Sequence, residues 1–123
     1  MRWRWMCEGR LLHSGVCVHN IQTMLNLEHI TGFDWDDGNA RKNDDKHGVS
    51  MAQAEQVFFN VPLLLLGDAR HSQQELRYHA LGRSDEGRLL HLTFTLRGAG
   101  SLIRVISARD MHRKERAFYE QAH

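Results

Sequence analysis

The sequence predicts a small α+β domain: a short strand, two helices, an antiparallel β-meander and a closing helix. Three observations predict it. Residues 75–83 alternate strictly, and a turn sequence joins them to a second alternating run at 88–97. Ser50 and Gln53 have capping-box spacing at the head of an apolar stripe. A length of 123 residues suits one domain and leaves little room for a second.

The elements follow in order. Residues 1–27 are expected to form a poorly structured extension, because His13, Gly15, His19 and Asn20 break every helical or strand period. Its basic, aromatic start (Arg2-Trp3-Arg4-Trp5) reads as a nucleic-acid or membrane contact, or as translation from an upstream start with Met24 the true initiator. The folded domain is assigned to residues 28–123. Phe33-Asp34-Trp35 alternates as a short strand does. The polar stretch 36–46 suits a helix capped by Asp36 and stopped by a left-handed Gly48. Ser50 opens the second helix, with Ala54, Val57 and Phe58 on one face, and Asn60 and Pro62 end it.

The sheet comes next. Leu63-Leu64-Leu65-Leu66 reads as a buried strand closed by Gly67-Asp68. In residues 75–83, parity sets Glu75, Arg77, His79, Leu81 and Arg83 on one face and Leu76, Tyr78, Ala80 and Gly82 on the other. Ser84-Asp85-Glu86-Gly87 supplies hairpin chemistry. The run 88–97 returns with Leu90, Leu92, Phe94 and Leu96 toward the core. Residues 101–109 form the last strand after the Gly98 and Gly100 turn, and residues 110–121 form the closing helix. Ser107 is placed near that helix's N-terminus.

Composition narrows the function. With 25% charged and 41% hydrophobic residues the chain is globular, and no run approaches the ~20 apolar residues of a membrane span. Cys7 and Cys17 lack metal-ligand spacing and read as reduced thiols of a cytoplasmic chain. The net charge of +1 hides two asymmetries: 13 of the 16 basic residues are Arg, and the charges are sorted along the chain. Residues 33–60 carry six acids against three bases, and residues 61–123 carry ten bases against seven acids. The basic half is where an anionic ligand belongs.

Seven Arg side chains (Arg70, Arg77, Arg83, Arg88, Arg97, Arg104 and Arg109) lie on or at the ends of the meander. Such a face is either a phosphate-binding surface or an ordinary solvated one. The chain has no phosphate-binding Gly loop, no nucleophile elbow and no pair of His at helix spacing. No cofactor and no metal are therefore expected. The remaining chemistry is Lys46-His47 at a helix end, Arg70-His71 in a loop, Glu75 with Arg77, and Arg104 with Arg109. A set of this kind is able to cleave RNA without a metal: a base takes the ribose 2′-hydroxyl proton, cations stabilise the phosphorane, and an acid protonates the leaving 5′-oxygen.

The string Asn43-Asp44-Asp45-Lys46-His47-Gly48-Val49-Ser50 resembles the N-x-x-K-H-G-V-S segment of the BrnT family of toxins. Asp68-Ala69-Arg70-His71, Glu75-Leu76-Arg77-Tyr78 with Gly82, and Arg104-Val105-Ile106-Ser107-Ala108-Arg109 agree in order and spacing. So do Phe33-Asp34-Trp35-Asp36 and Arg113-Lys114-Glu115-Arg116. Ala69 stands where the family usually has Pro, and Met51 where Phe is common. The resemblance implies a RelE-like fold and the ribonuclease toxin of a type II toxin–antitoxin pair, inhibiting growth and translation. It also implies a cognate antitoxin, a ribbon–helix–helix (BrnA-like) protein, in a hetero-oligomer. By position it makes Lys46, His47, Glu75, Arg77 and Arg104 the catalytic set and Arg70, His71, Arg83 and Arg109 the substrate-binding set. Glu75 is either the base or the partner that orients Arg77. The alternative is a non-catalytic module of the same fold that binds nucleic acid or the antitoxin. Under strict alternation Arg104 and Arg109 face opposite ways, so both reach one site only if a bulge or strand end intervenes.

Overall fold

A computed structural model describes residues 29–36, 38, 41, 47–67 and 76–121, and the backbone alone at 11–12, 16–19 and 68. Its centre is an antiparallel meander of four strands: β4 (Leu63–Asp68), β5 (Arg77–Arg83), β6 (Leu89–Arg97) and β7 (Leu102–Asp110). Shorter strands extend it at both edges. β3 (Gly32–Phe33) runs parallel to β7, and β2 (Val16–His19) runs parallel to β4 with β1 (Leu11–Leu12) beyond it. The order across the described sheet is β1-β2-β4-β5-β6-β7-β3. The sequence reading assigned no element before residue 28; β2 there lies beside the β4 leucine run, with β1 beyond it.

Two helices cover opposite faces. Helix α1 (Met51–Val57) begins at Ser50, whose side chain accepts from Gln53 N while the Gln53 side chain accepts from Ser50 N, the capping box read from the sequence. Its Ala54 and Val57 pack with Val49, Leu63, Leu65, Tyr78, Ala80, Leu90, Leu92 and Phe94. The close approach depends on Gly82, where a Cβ would stand 2.6 Å from Val57 Cγ1. Helix α2 (Arg113–Gln121) closes the other face, with Tyr119 and Met111 against Leu64, Leu66 and Leu81. Of the helix expected at 36–46, the described residues 38, 41 and 47 are helical. Gly48 has φ 65°, the left-handed stop expected of it.

Three expectations are corrected. The strand near Phe33 ends before Trp35, whose indole Nε1 instead donates to Glu55 on α1 at 2.8 Å. Asp36 pairs with Arg104, and the cap expected of it falls on a segment partly outside the described residues. Ser107 lies within β7, opposite Thr93, and the closing helix starts only at Arg113 because β7 pairs as far as Asp110. The Arg77–Arg83 face is not an open solvated one: Leu81 is buried and His79 retains 4% of its exposure, because α2 covers that side.

Candidate nucleic-acid interface

Cross-strand register builds the site. Arg77 on β5 pairs with Thr95 on β6, and Thr95 pairs with Arg104 on β7, so the three form one row across the sheet. Residues paired directly opposite point to the same face, which puts the two guanidinium stems about 10 Å apart at their Cα atoms. The next row is His79, Thr93 and Ser107, and the one after it Leu81, His91 and Arg109.

Arg104 and Arg109 share this face because the alternation in β7 is broken. Phe94 pairs with Val105 and Thr93 with Ser107, leaving Ile106 as the extra residue of a β-bulge. Ile103 and Val105 before the bulge and Ala108 after it all enter the α1-side core. The intervening polar residues consequently all turn the other way.

The cations on this face are held. Arg104 Nη1 lies 3.4 Å from Asp34 Oδ2, and Nη2 bonds Asp36. Pairing of β3 with β7 brings Asp34 alongside Arg104, and its amide donates to Ile103 O at 2.8 Å. Arg109 forms a two-pronged bond with Glu115 at 2.9 and 3.0 Å. Thr95 Oγ1 donates to Leu76 O.

Between these groups lies a buried polar chain. His79 Nδ1 is 3.0 Å from His91 Nε2 and 3.1 Å from Thr93 Oγ1, and the two imidazoles stack at 5.0 Å and 17°. His91 Nδ1 lies 3.8 Å from Glu115 Oε2, and Glu115 also accepts from His112 N at 2.8 Å. Burial, reinforced by the Arg109 charge, pulls the His91 pKa down to about 3 against the opposing pull of Glu115. Burial raises the Glu115 carboxyl, but the bonds from Arg109 and His112 N, with the nearby His91 and Arg109 charges, outweigh it and leave the pKa lowered.

The other sequence-predicted residues are placed elsewhere or lie outside the described residues. His47 belongs to the α1 side: its carbonyl accepts from Arg88 Nη2 at 3.0 Å, and that of Gly48 from Arg88 Nη1 at 2.7 Å. Arg88 also grips Asp110 through Nε and Nη2 at 2.7 and 3.0 Å. Asp110 pairs with Leu90, five positions along β6 from Thr95 and so about 17 Å from the arginine row. Arg83 is exposed at the far end of β5 from Arg77, where its carbonyl accepts from Asn60. Lys46, Arg70, His71 and Glu75 lie outside the described residues. The structure thus joins Arg77 with Arg104, sets Arg109 two rows away on the same face, and separates His47 and Arg83 from them.

Sequence reasoning missed Asp34, Asp36, His79, His91 and Glu115. Parity had placed His79 beside Arg77; the others are joined to the face only by strand pairing and the turn into α2. Among the described residues no three His, Cys, Asp or Glu side chains are grouped to hold a metal ion. Among them, too, no helix is long and apolar enough to cross a membrane.

Residues 35–115 match the family model described as "Ribonuclease toxin, BrnT, of type II toxin-antitoxin system". Among solved structures the chain is similar to the crystal structure of the Brucella abortus ribonuclease toxin, BrnT, at 20% identity and a TM-score of 0.49, over 68% of this chain and 99% of that one. No curated protein matches the chain.

Proposed function

The chain belongs to the BrnT family of type II toxin–antitoxin ribonuclease toxins, and on that premise we propose that it is a metal-independent endoribonuclease of the cytoplasm with a RelE-like fold. The observation that carries the reading is the Arg77–Thr95–Arg104 row, two guanidinium groups on one face of a rigid sheet. In the proposed reaction the 2′-hydroxyl loses its proton to a base and its oxygen bonds to phosphorus. The P–O5′ bond then breaks and the 5′-oxygen takes up a proton, giving a 2′,3′-cyclic phosphate and a 5′-hydroxyl. Arg77 and Arg104 stabilise the charge that builds on the phosphorane, where fixed donors count most. Glu75 orients Arg77, Lys46 adds a third cation, and Arg70, His71 and Arg109 hold flanking phosphates. No step is assigned to His47 or Arg83. The partner is an antitoxin of ribbon–helix–helix type in a hetero-oligomer, covering the arginine face.

A non-catalytic module binding RNA or antitoxin is the second reading. It is favoured by the carboxylates that already occupy Arg104 and Arg109. Incubating the purified chain with RNA in EDTA decides between them. Cleavage with cyclic phosphate ends, lost by roughly 100-fold or more in Arg77→Ala and Arg104→Ala variants that still fold, supports the nuclease. Binding without cleavage supports the module.

A further inference from the structure

We propose that Thr95 is the positioning residue of the arginine row, holding Arg77 through the Leu76 carbonyl at the separation from Arg104 that the transition state uses; this rests on the ribonuclease reading above. The two arginines are not held alike. Arg104 is the third residue of β7, and the ladder with β6 continues past it to Ile103 and Leu102. Arg77 is the first residue of β5. Among the described residues its pairings with Asp68 on β4 and with Thr95 on β6 are the outermost of both ladders. Leu76, the residue before it, lies outside the strand and is 47% exposed. The end of a ladder is where backbone hydrogen bonds open most readily, so Arg77 stands on the less restrained backbone of the two.

One side-chain bond counters this. Thr95 Oγ1 donates to the Leu76 carbonyl oxygen at 2.6 Å. That carbonyl belongs to the planar peptide group whose nitrogen is the amide of Arg77, so holding it holds the plane from which the Arg77 Cα projects. The hydroxyl adds a rung to the ladder beyond its last backbone pair. Thr95 is placed to do this because it stands directly opposite Arg77, where cross-strand neighbours come closest.

The choice of residue points the same way. Thr95 is 2% exposed, and a valine would fill the same space in a strand with no polar group to satisfy. Burying a hydroxyl is unfavourable unless it is bonded, and the bond made here is to the peptide that carries Arg77. Arg77 and Arg104 stabilise a charge that exists only in the transition state, so an error in their separation acts on kcat more than on KM. A misplacement of about 1 Å can cost about 100-fold. Thr95 itself touches no reacting atom; it acts through Arg77.

The test measures kcat and KM for RNA cleavage in EDTA by the full chain and by variants whose thermal midpoints show them folded. Thr95→Val removes the hydroxyl and keeps the shape. It is expected to lower kcat by roughly 10- to 100-fold with KM changed by less than about twofold. Thr95→Ser restores the donor and is expected to return kcat to within about threefold of wild type. Adding Thr95→Val to an Arg77→Lys chain should lower kcat by less than about twofold more, whereas in an Arg104→Lys chain it should keep most of its effect. A folded Thr95→Val chain whose kcat is within about threefold of wild type overturns the inference. So does an equal further loss in both arginine backgrounds, or a Thr95→Ser chain as slow as Thr95→Val. If Thr95→Val does not fold, Thr95→Ala takes its place, and failure of both assigns Thr95 to the fold and overturns the inference too. A wild-type chain that cuts no RNA brings down the ribonuclease reading as well. Equal cutting by wild type and Thr95→Val leaves that reading standing and removes only Thr95.

Discussion

Arg77 and Arg104 face the same side of the sheet from strands that do not touch, each directly opposite Thr95 of the strand between them. Their spacing is a property of the meander's backbone register and does not depend on a loop. Arg104 is shared with Asp34 and Asp36, nearly seventy residues earlier, because β3 adds to the edge of β7.

A substrate phosphate must compete with those two carboxylates for Arg104. Both are partly exposed, so each is worth about 1 kcal/mol or less. Replacing both, Asp34→Asn with Asp36→Asn, is expected to tighten binding of a short single-stranded RNA by up to about fivefold. Fluorescence anisotropy at fixed salt measures it. Unchanged or weaker binding would show that Arg104 does not meet the phosphate.

Stability should fall on acidification through a window set by His91. The imidazole stays neutral in the fold, with its pKa pulled down to about 3, while in the unfolded chain it takes a proton near 6.5. Its contribution is complete above pH ~6.5 and is lost progressively as the pH drops toward ~3. Glu115 and Asp110 act in the same direction at lower pH. Both have lowered pKa values, so their contributions are present above the ordinary carboxylate range and vanish as the carboxyls protonate. Urea midpoints measured from pH 7 to 3 should show the loss beginning between about 6.5 and 5, and His91→Gln should remove that early part. A flat profile down to about pH 5 contradicts the burial account.

Arg88 joins three parts of the fold: the end of the helical segment at His47 and Gly48, the capping residue Gln53, and Asp110 at the end of β7. The Asp110 bond raises the Arg88 pKa despite partial burial. Arg88→Ala leaves two carbonyls without this donor and should cost about 2 kcal/mol. Asp110→Asn should cost less, and the double variant should cost less than the sum. Chemical denaturation of the four chains gives the coupling directly; additive losses would mean that the groups act independently.

Gly82 is where α1 touches the sheet. Its missing Cβ leaves room for Val57 Cγ1, so Gly82→Ala should destabilise the chain by about 1–3 kcal/mol through displacement of the helix. Pairing it with Val57→Ala should recover part of the loss. A thermal midpoint unchanged by Gly82→Ala would show that α1 shifts freely.

Local chemistry was the legible part of the sequence. The Ser50–Gln53 box, the Ser84–Gly87 hairpin and the apolar faces of Tyr78 with Ala80 and of Leu90, Leu92 and Phe94 need only neighbours in the chain. What failed depended on distant contacts. Alternation marked His79 and His91 as lying off the α1-side core, yet α2 returns to bury both. No local signal shows that β3 adds beside β7 and so brings Asp34 and Asp36 to Arg104. Of the candidate site, the sequence identified Arg77, Arg104 and Arg109, but not the carboxylates that hold two of them. It also grouped His47 with them, where the Arg88 anchor draws that segment to the other side. The bulge was anticipated only as a condition for Arg104 and Arg109 to share a face.

Ile106 is that bulge's surplus residue, and a β7 lacking it would still send Arg104, Ser107 and Arg109 to the same side. Its contribution is therefore curvature. A bulged strand bends and twists more than a regular one, so Ile106 sets a bend in β7 between the row of Arg104 and the row of Ser107.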